Sequence, residues 1–236
     1  FIVGVELTAD QKENDGEQDG FVLTESHDVV NASYYRALVL MQKLETVLKK
    51  TTDAKFYKEK VKEVYLSFQN IFLNPVTGLI KDGDSTNHTS LHANMFALAF
   101  GLVPKNNIDK VVAFIKTRKM ACSVYGAQFL LDALYDNDQG GYALTLLDAT
   151  TQRSWYNMIR SGSTITMEAW DKVYKPNLDW NHAWGAAPAN IIVRKLMGIE
   201  PLTPGFETFQ IKPQIGNLSF VTLKTPTIKG EILVSY

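Results

Sequence analysis

The sequence predicts a mainly α protein, with paired helices in a double ring followed by a small β segment. Three observations carry this. Apolar residues recur at three- and four-residue spacing in segments separated by short turns. These segments alternate between more and less apolar members, which suits inner helices enclosed by outer ones. After Gly198 the prolines Pro201, Pro204 and Pro213 rule out long helices, and short apolar runs between turn residues read as strands.

Taken in order, Phe1–Val5 reads as a short strand, and Asp10 to Gly20 as an acidic, turn-rich, solvated loop with the turn dipeptides Asp15-Gly16 and Asp19-Gly20. From Asn31 the period turns helical: Tyr34, Leu38, Met41, Leu44 and Leu48 form one stripe, which ends at Lys49-Lys50. Tyr57, Val61, Val64, Phe68, Ile71 and Phe72 form the next, stopped by Asn74-Pro75. The short Thr51-Thr52-Asp53 connection makes these two antiparallel neighbours. Ser90 to Leu102 is apolar nearly all round, as in a helix buried on most sides, and Ile108 to Lys116 is amphipathic. Ala127–Tyr135 and Tyr142–Leu147 form a further pair, Ser154–Ile159 is a short helix, and Ala183–Met197 is a longer one that admits Pro188 near its start. Strands are expected around Phe209, Leu223 and Ile232, separated by Gly-Asn and Pro-Thr turns. The domain reading is an irregular lead-in over 1–30, a helical portion over 31–198 and a β segment over 199–236.

Composition excludes several classes. At 236 residues with 45% hydrophobic and 21% charged residues, the chain can bury a core. A net charge of −1 gives no footprint for nucleic acid or an anionic membrane. No apolar run approaches the roughly 20 residues that span a bilayer. The single cysteine, Cys122, excludes an internal disulfide and a multi-cysteine metal site, and its apolar surroundings read as a buried, inert thiol. The chain begins at Phe1 with no basic leader, so a signal peptide is expected to be absent or removed.

The chemistry concentrates in Ser161 to Gly198, which holds three of the four Trp, with the carboxylate Glu168 and, fourteen residues on, His182. Aromatic faces, a carboxylate and a few polar groups suit a sugar ring, whose C–H face stacks while its hydroxyls need hydrogen bonds. The plain alternative is a helix junction with buried aromatics. A carboxylate beside Trp170 is expected to be partly desolvated and more basic, which suits a general base. Asp171 reads as its partner or, more commonly, as a cap or supporting residue. His88 and His92 have a spacing that could place two imidazoles on one helix face, but with no third ligand nearby a structural role is expected. No metal and no cofactor is expected. No glycine-rich phosphate loop is present, and no nucleophile elbow frames Ser161 or Ser163.

Ser154-Trp155-Tyr156-Asn157-Met158-Ile159, then Gly162 through Glu168-Ala169-Trp170-Asp171, then Asn181-His182-Ala183-Trp184-Gly185 resemble the bacterial α-L-rhamnosidases of glycoside hydrolase family 78. Thr89–Asn94, Cys122–Gln128, and the tail segments Pro204-Gly205-Phe206 and Ile211-Lys212-Pro213 extend the resemblance from about Val30 to the end. It implies part of an (α/α)6 barrel followed by a C-terminal β-domain segment, and an inverting hydrolase releasing terminal α-L-rhamnose. It assigns Glu168 as general base and His182 as a sugar contact, with Trp155 and Trp170 added as sugar-facing aromatics. The family's general acid lies in an upstream segment rich in Asp, Arg and Trp, which residues 1–30 do not contain. This chain alone is therefore expected to be inactive and to work with the rest of a longer protein. Met167 stands where the family commonly has Trp, so one pocket wall is expected to differ. The expected partner is a carbohydrate ending in L-rhamnose, and the expected location is periplasmic or extracellular, with the cytoplasm as the alternative. Two other readings stand beside this one: a non-catalytic sugar-binding module, and another α/α-barrel carbohydrate enzyme such as a polysaccharide lyase.

Overall fold

The structure, a computed structural model, describes residues 15–236; the expected strand at Phe1–Val5 lies outside them. The described chain forms two compact units that meet in sequence at Arg118/Lys119, inside the 31–198 stretch read as one helical portion.

In the first unit, a single turn α1 (Asp15–Gln18) precedes two long helices, α2 (Asp28–Val47) and α3 (Thr51–Phe72). They are antiparallel, as the short connection requires: Tyr35 near the start of α2 meets Tyr65 near the end of α3, with ring centroids 6.3 Å apart. The faces they bury are narrower than the sequence stripes. Ala32, Tyr35 and Leu38 of α2 are buried, whereas Tyr34, Leu44 and Leu48 from the expected stripe are exposed. On α3 only Phe68 and Phe72 are buried, their rings 4.9 Å apart, and Ile71 is exposed.

Helix α4 (Leu91–Ala99) is enclosed as its composition demands, with Leu91, Met95 and Leu98 in the core. Its buried Asn94 is fully paired: Oδ1 accepts from the Ile80 amide at 3.0 Å, and Nδ2 donates to Ser90 O and Thr89 Oγ1, each at 2.8 Å. A buried helix start must satisfy its free amides, and three side chains do so here. Ser90 Oγ accepts from the Ala93 amide at 3.3 Å, Asp82 Oδ1 from Ser90 N at 2.8 Å, and Asp19 Oδ2 from Leu91 N at 2.6 Å. Asp19 also pairs with Arg118, at the end of α5 (Ile108–Arg118), whose Nε donates to both of its carboxylate oxygens. This corrects the solvated-loop reading of Asp10–Gly20: Asp19 is buried and holds two helices, and carboxylate charge at the start of α4 also complements the helix dipole.

The two histidines spaced four apart have different surroundings. His88 Nδ1 bonds Asp82 Oδ2 at 2.5 Å, and burial pushes His92 down to about 4, so it is uncharged at neutral pH. Asp28 is fully buried, and burial together with Asp82 raises its carboxyl well above the usual carboxylate range.

In the second unit, α6 (Gly126–Asp136) and α7 (Gly140–Leu147) form the next pair, and α8 (Trp155–Arg160) starts at Ser154, whose Oγ accepts from Asn157 N at 3.1 Å. The single long helix expected over Ala183–Met197 is instead three pieces: a 3-10 turn at Ala183–Gly185, a short α9 (Ala187–Ile191), and a π turn at Ile192–Leu196. Two features break it. Pro188 has no N–H to give the ladder, and the Gly185 carbonyl is bonded by the Trp155 indole N–H at 2.7 Å. The π turn carries a charge network: Arg194 reaches Asp132 at 2.7 Å and Glu200 at 2.6 Å, while Lys195 reaches Asp136 at 2.5 Å and Glu200 at 3.0 Å.

Strands β1 (Ile199–Pro201) and β2 (Phe209–Ile211) pair antiparallel, with Ile199 opposite Ile211. Gly198 permits this turn: its φ is +69°, and a Cβ there would meet the Lys212 carbonyl at 2.1 Å. Strands β3 (Thr222–Thr227) and β4 (Gly230–Ser235) form a hairpin with Leu223 opposite Val234. The Pro-Thr pair expected as a turn belongs to β3; the turn is Ile228-Lys229, with Gly230 at φ +121°. Among the described residues, no helix is long and apolar enough to cross a membrane.

Candidate active site

Glu168 and His182 are brought together by backbone pairing rather than by a helix. Residues 166–168 run beside 179–182: His182 N donates to Thr166 O at 2.8 Å, and Glu168 N to Asp179 O at 2.9 Å. Thr166 Oγ1 adds a bond to His182 O at 2.7 Å. Met167 and Ala169 are buried on either side of Glu168, which is only partly buried. Gly185 allows the close approach, because a Cβ there would sit 2.8 Å from the Thr166 Cβ and 3.2 Å from Met167 O.

The carboxylate of Glu168 is held at both oxygens. Oε2 accepts from the Asp179 backbone N–H at 3.0 Å, and Oε1 is paired with the Lys175 ammonium. The Lys175 hydrogen bond, then the Asp179 amide, hold Glu168 below its ordinary pKa, with partial desolvation opposing them. This reverses the expectation from sequence, which had desolvation beside Trp170 raising its basicity. Glu168, Asp179 and His182 each present an atom within 4.8 Å of the others, a set that could gather a cation. The Lys175 ammonium already supplies the positive charge there, so we assign these residues no metal role.

The four sequence candidates separate. Glu168 and His182 share one partly open surface. Trp155 is half-buried, its indole N–H on Gly185 O and its ring edge-on to Trp170 at 5.0 Å. Trp170 is 0% exposed, with its indole N–H on Cys122 O at 2.7 Å. A fully enclosed ring cannot stack on a sugar, so Trp170 is a core residue and not a sugar contact. Met167 is likewise buried, its amide against the Met158 sulfur at 3.4 Å, so it does not line the pocket wall. Asp171 is a supporting residue: Oδ2 accepts from Asn157 Nδ2 at 2.9 Å and Oδ1 from Val173 N at 3.1 Å.

The aromatic surface beside Glu168 comes from residues not singled out from sequence. The Trp184 ring lies 4.2 Å from the His182 ring and 5.5 Å from Tyr125, and its indole N–H reaches Glu168 O at 3.3 Å. Trp184 and Tyr125 are 43% and 48% exposed, so part of each ring stays accessible beside Glu168. Trp184 stands inside the Asn181–Gly185 segment and is one of the three Trp of Ser161–Gly198, but the sequence assigned it no sugar contact.

A carboxylate paired with an ammonium, an imidazole and two partly exposed aromatic rings thus share one partly open surface of a mainly helical chain. Comparison with known proteins gives the family. Residues 8–196 match the bacterial alpha-L-rhamnosidase 6 hairpin glycosidase domain and residues 198–236 the bacterial alpha-L-rhamnosidase C-terminal domain, and the chain belongs to this family. The alpha-L-rhamnosidase of Alteromonas sp. (strain LOR) is 26% identical over 222 residues, or 88% of this chain and 24% of its own length. The solved alfa-L-rhamnosidase of Aspergillus terreus superposes with a TM-score of 0.78 at 20% identity over 95% of this chain and 27% of its own. That of Streptomyces avermitilis, solved with L-rhamnose, gives 0.75 at 23% identity over 92% of this chain and 22% of its own. These two share the fold. The chain spans about a quarter of the length of such relatives.

Proposed function

We propose that this chain supplies the base-bearing part of an inverting α-L-rhamnosidase, with Glu168 as general base. In the reaction, Glu168 takes a proton from water as its oxygen forms a bond to the anomeric carbon. The glycosidic bond breaks on the opposite face, and its oxygen takes a proton from a second carboxylic acid. That acid comes from preceding residues of the longer protein. His182 contacts a rhamnose hydroxyl, and Trp155 contributes a partly open aromatic edge. In this reading residues 31–198 form the barrel portion and 199–236 the β segment.

The single observation that carries the reading is the Glu168–His182 juxtaposition: an ionised carboxylate and an imidazole on one partly open surface, in a chain whose family is that of the rhamnosidases. A low-lying Glu168 favours a base over an acid, because a general acid must be protonated at the working pH and this carboxyl is held ionised.

The test is the anomeric configuration of the first product. The full-length protein acting on 4-nitrophenyl α-L-rhamnoside, followed by proton NMR before mutarotation, is expected to release β-L-rhamnose. Initial α-L-rhamnose would mean retention and a nucleophilic carboxylate in place of a base. No hydrolysis, with L-rhamnose still bound, would favour the sugar-binding module.

A further inference from the structure

We infer that Lys175 is a positioning residue for the reaction: its ammonium fixes the carboxylate of Glu168 in the one orientation that offers an oxygen lone pair to water. The inference rests on the reading of Glu168 as general base and adds a residue to it. The two carboxylate oxygens are restrained from different sides, Oε2 by the Asp179 backbone N–H at 3.0 Å and Oε1 by Lys175. Each oxygen keeps a second lone pair, so two anchors together set the plane of the carboxylate and the direction from which water is accepted. The backbone anchor alone leaves the plane free to turn about that single bond.

The Lys175 side chain is not needed to hold its own loop. Leu178 is buried, Leu178 N donates to Lys175 O at 3.1 Å, Tyr174 N to Asp171 O at 3.1 Å, and the Tyr174 hydroxyl to Gln152 Oε1 at 3.2 Å. No other lysine of the loop takes its place, because Lys172 lies over the Trp180 ring at 4.9 Å. The titratable groups facing Glu168 are Lys175 and Asp179 from this loop and His182 from the next turn. Asp179 is 76% exposed by its side chain, with its carboxylate 3.7 Å from His182 Nδ1, while the Lys175 ammonium lies on Glu168. The same ammonium keeps Glu168 ionised into acid, since a neighbouring positive charge favours the carboxylate form.

The experiment measures the pH profiles of kcat and kcat/KM for the full-length protein on 4-nitrophenyl α-L-rhamnoside, comparing the parent, Lys175→Met, Lys175→Arg and Glu168→Gln. Lys175→Met is expected to lower kcat about tenfold with KM little changed, because an interaction made in the transition state is lost. Its acid limb moves to higher pH, as removal of a cation raises the carboxyl pKa. Lys175→Arg returns the limb toward the parent position. A Lys175→Met profile with the acid limb unmoved overturns the inference, even where kcat falls, while a Glu168→Gln variant that is inactive keeps the base reading intact. A fully active Glu168→Gln overturns the base reading itself, and the role of Lys175 with it.

Discussion

Replacing Glu168 by Gln in the full-length protein is expected to lower kcat on an aryl α-L-rhamnoside by about 10²–10⁴-fold, the usual contribution of a positioned general base. Gln has the same shape, and its carbonyl oxygen can still accept the Asp179 amide that Oε2 now accepts at 3.0 Å. What it loses is basicity and the ion pair with Lys175. The melting temperature should therefore change little: the carboxylate is partly exposed, and such ion pairs contribute only about 0–1 kcal/mol. KM should stay close to that of the parent, because the lost interaction acts on the attacking water and not on the bound sugar. Steady-state kinetics with a parallel thermal melt separates the two effects. Activity retained within about tenfold would place the base elsewhere.

The second large effect is on stability. Trp170→Ala is expected to destabilise the second unit by about 3–5 kcal/mol, the range for deleting a buried aromatic. The ring is 0% exposed, packs edge-on against Trp155 at 5.0 Å and donates to Cys122 O at 2.7 Å. Its loss leaves a cavity and a buried carbonyl without that donor, which adds to the penalty. Trp170→Phe restores most of the ring volume but not the hydrogen bond, so its cost should be smaller. Thermal or urea denaturation of the three proteins gives the order. A Trp170→Ala variant with an unchanged melting temperature and weakened rhamnose affinity would return this residue to the sugar-facing role that the structure denies it.

Trp170 also marks where sequence reading stops. The helices were legible because their signals are local: three- and four-residue spacing, and Asn74-Pro75 after α3. Which apolar residues are covered was less legible. The stripe of α2 contains Leu44 and Leu48, yet burial falls on Ala32, Tyr35 and Leu38, because coverage depends on neighbours distant in sequence. The same limit applies to Trp155, Trp170, Trp180 and Trp184. Their letters are identical, but Trp170 is enclosed with its indole N–H on Cys122 O, while Trp184 stays 43% exposed.

Charged groups show the limit most sharply. Glu168 and His182 stood out through the residues around them, and the structure brings both to one surface. Asp19 looked like part of a solvated acidic turn, and only its position against the start of α4 and Arg118 reveals a buried cap. Lys175 carried no signal at all. It lies seven residues beyond Glu168 in an irregular loop, where no period predicts contact, and its effect reverses the pKa shift expected from the neighbouring tryptophan.

The most direct test of the account is the position of L-rhamnose in a crystal of the full-length protein. The account places the anomeric carbon facing Glu168 with room for one water between them, and a sugar hydroxyl within about 3 Å of the His182 imidazole. A rhamnose bound elsewhere, touching neither Glu168 nor His182, would contradict it.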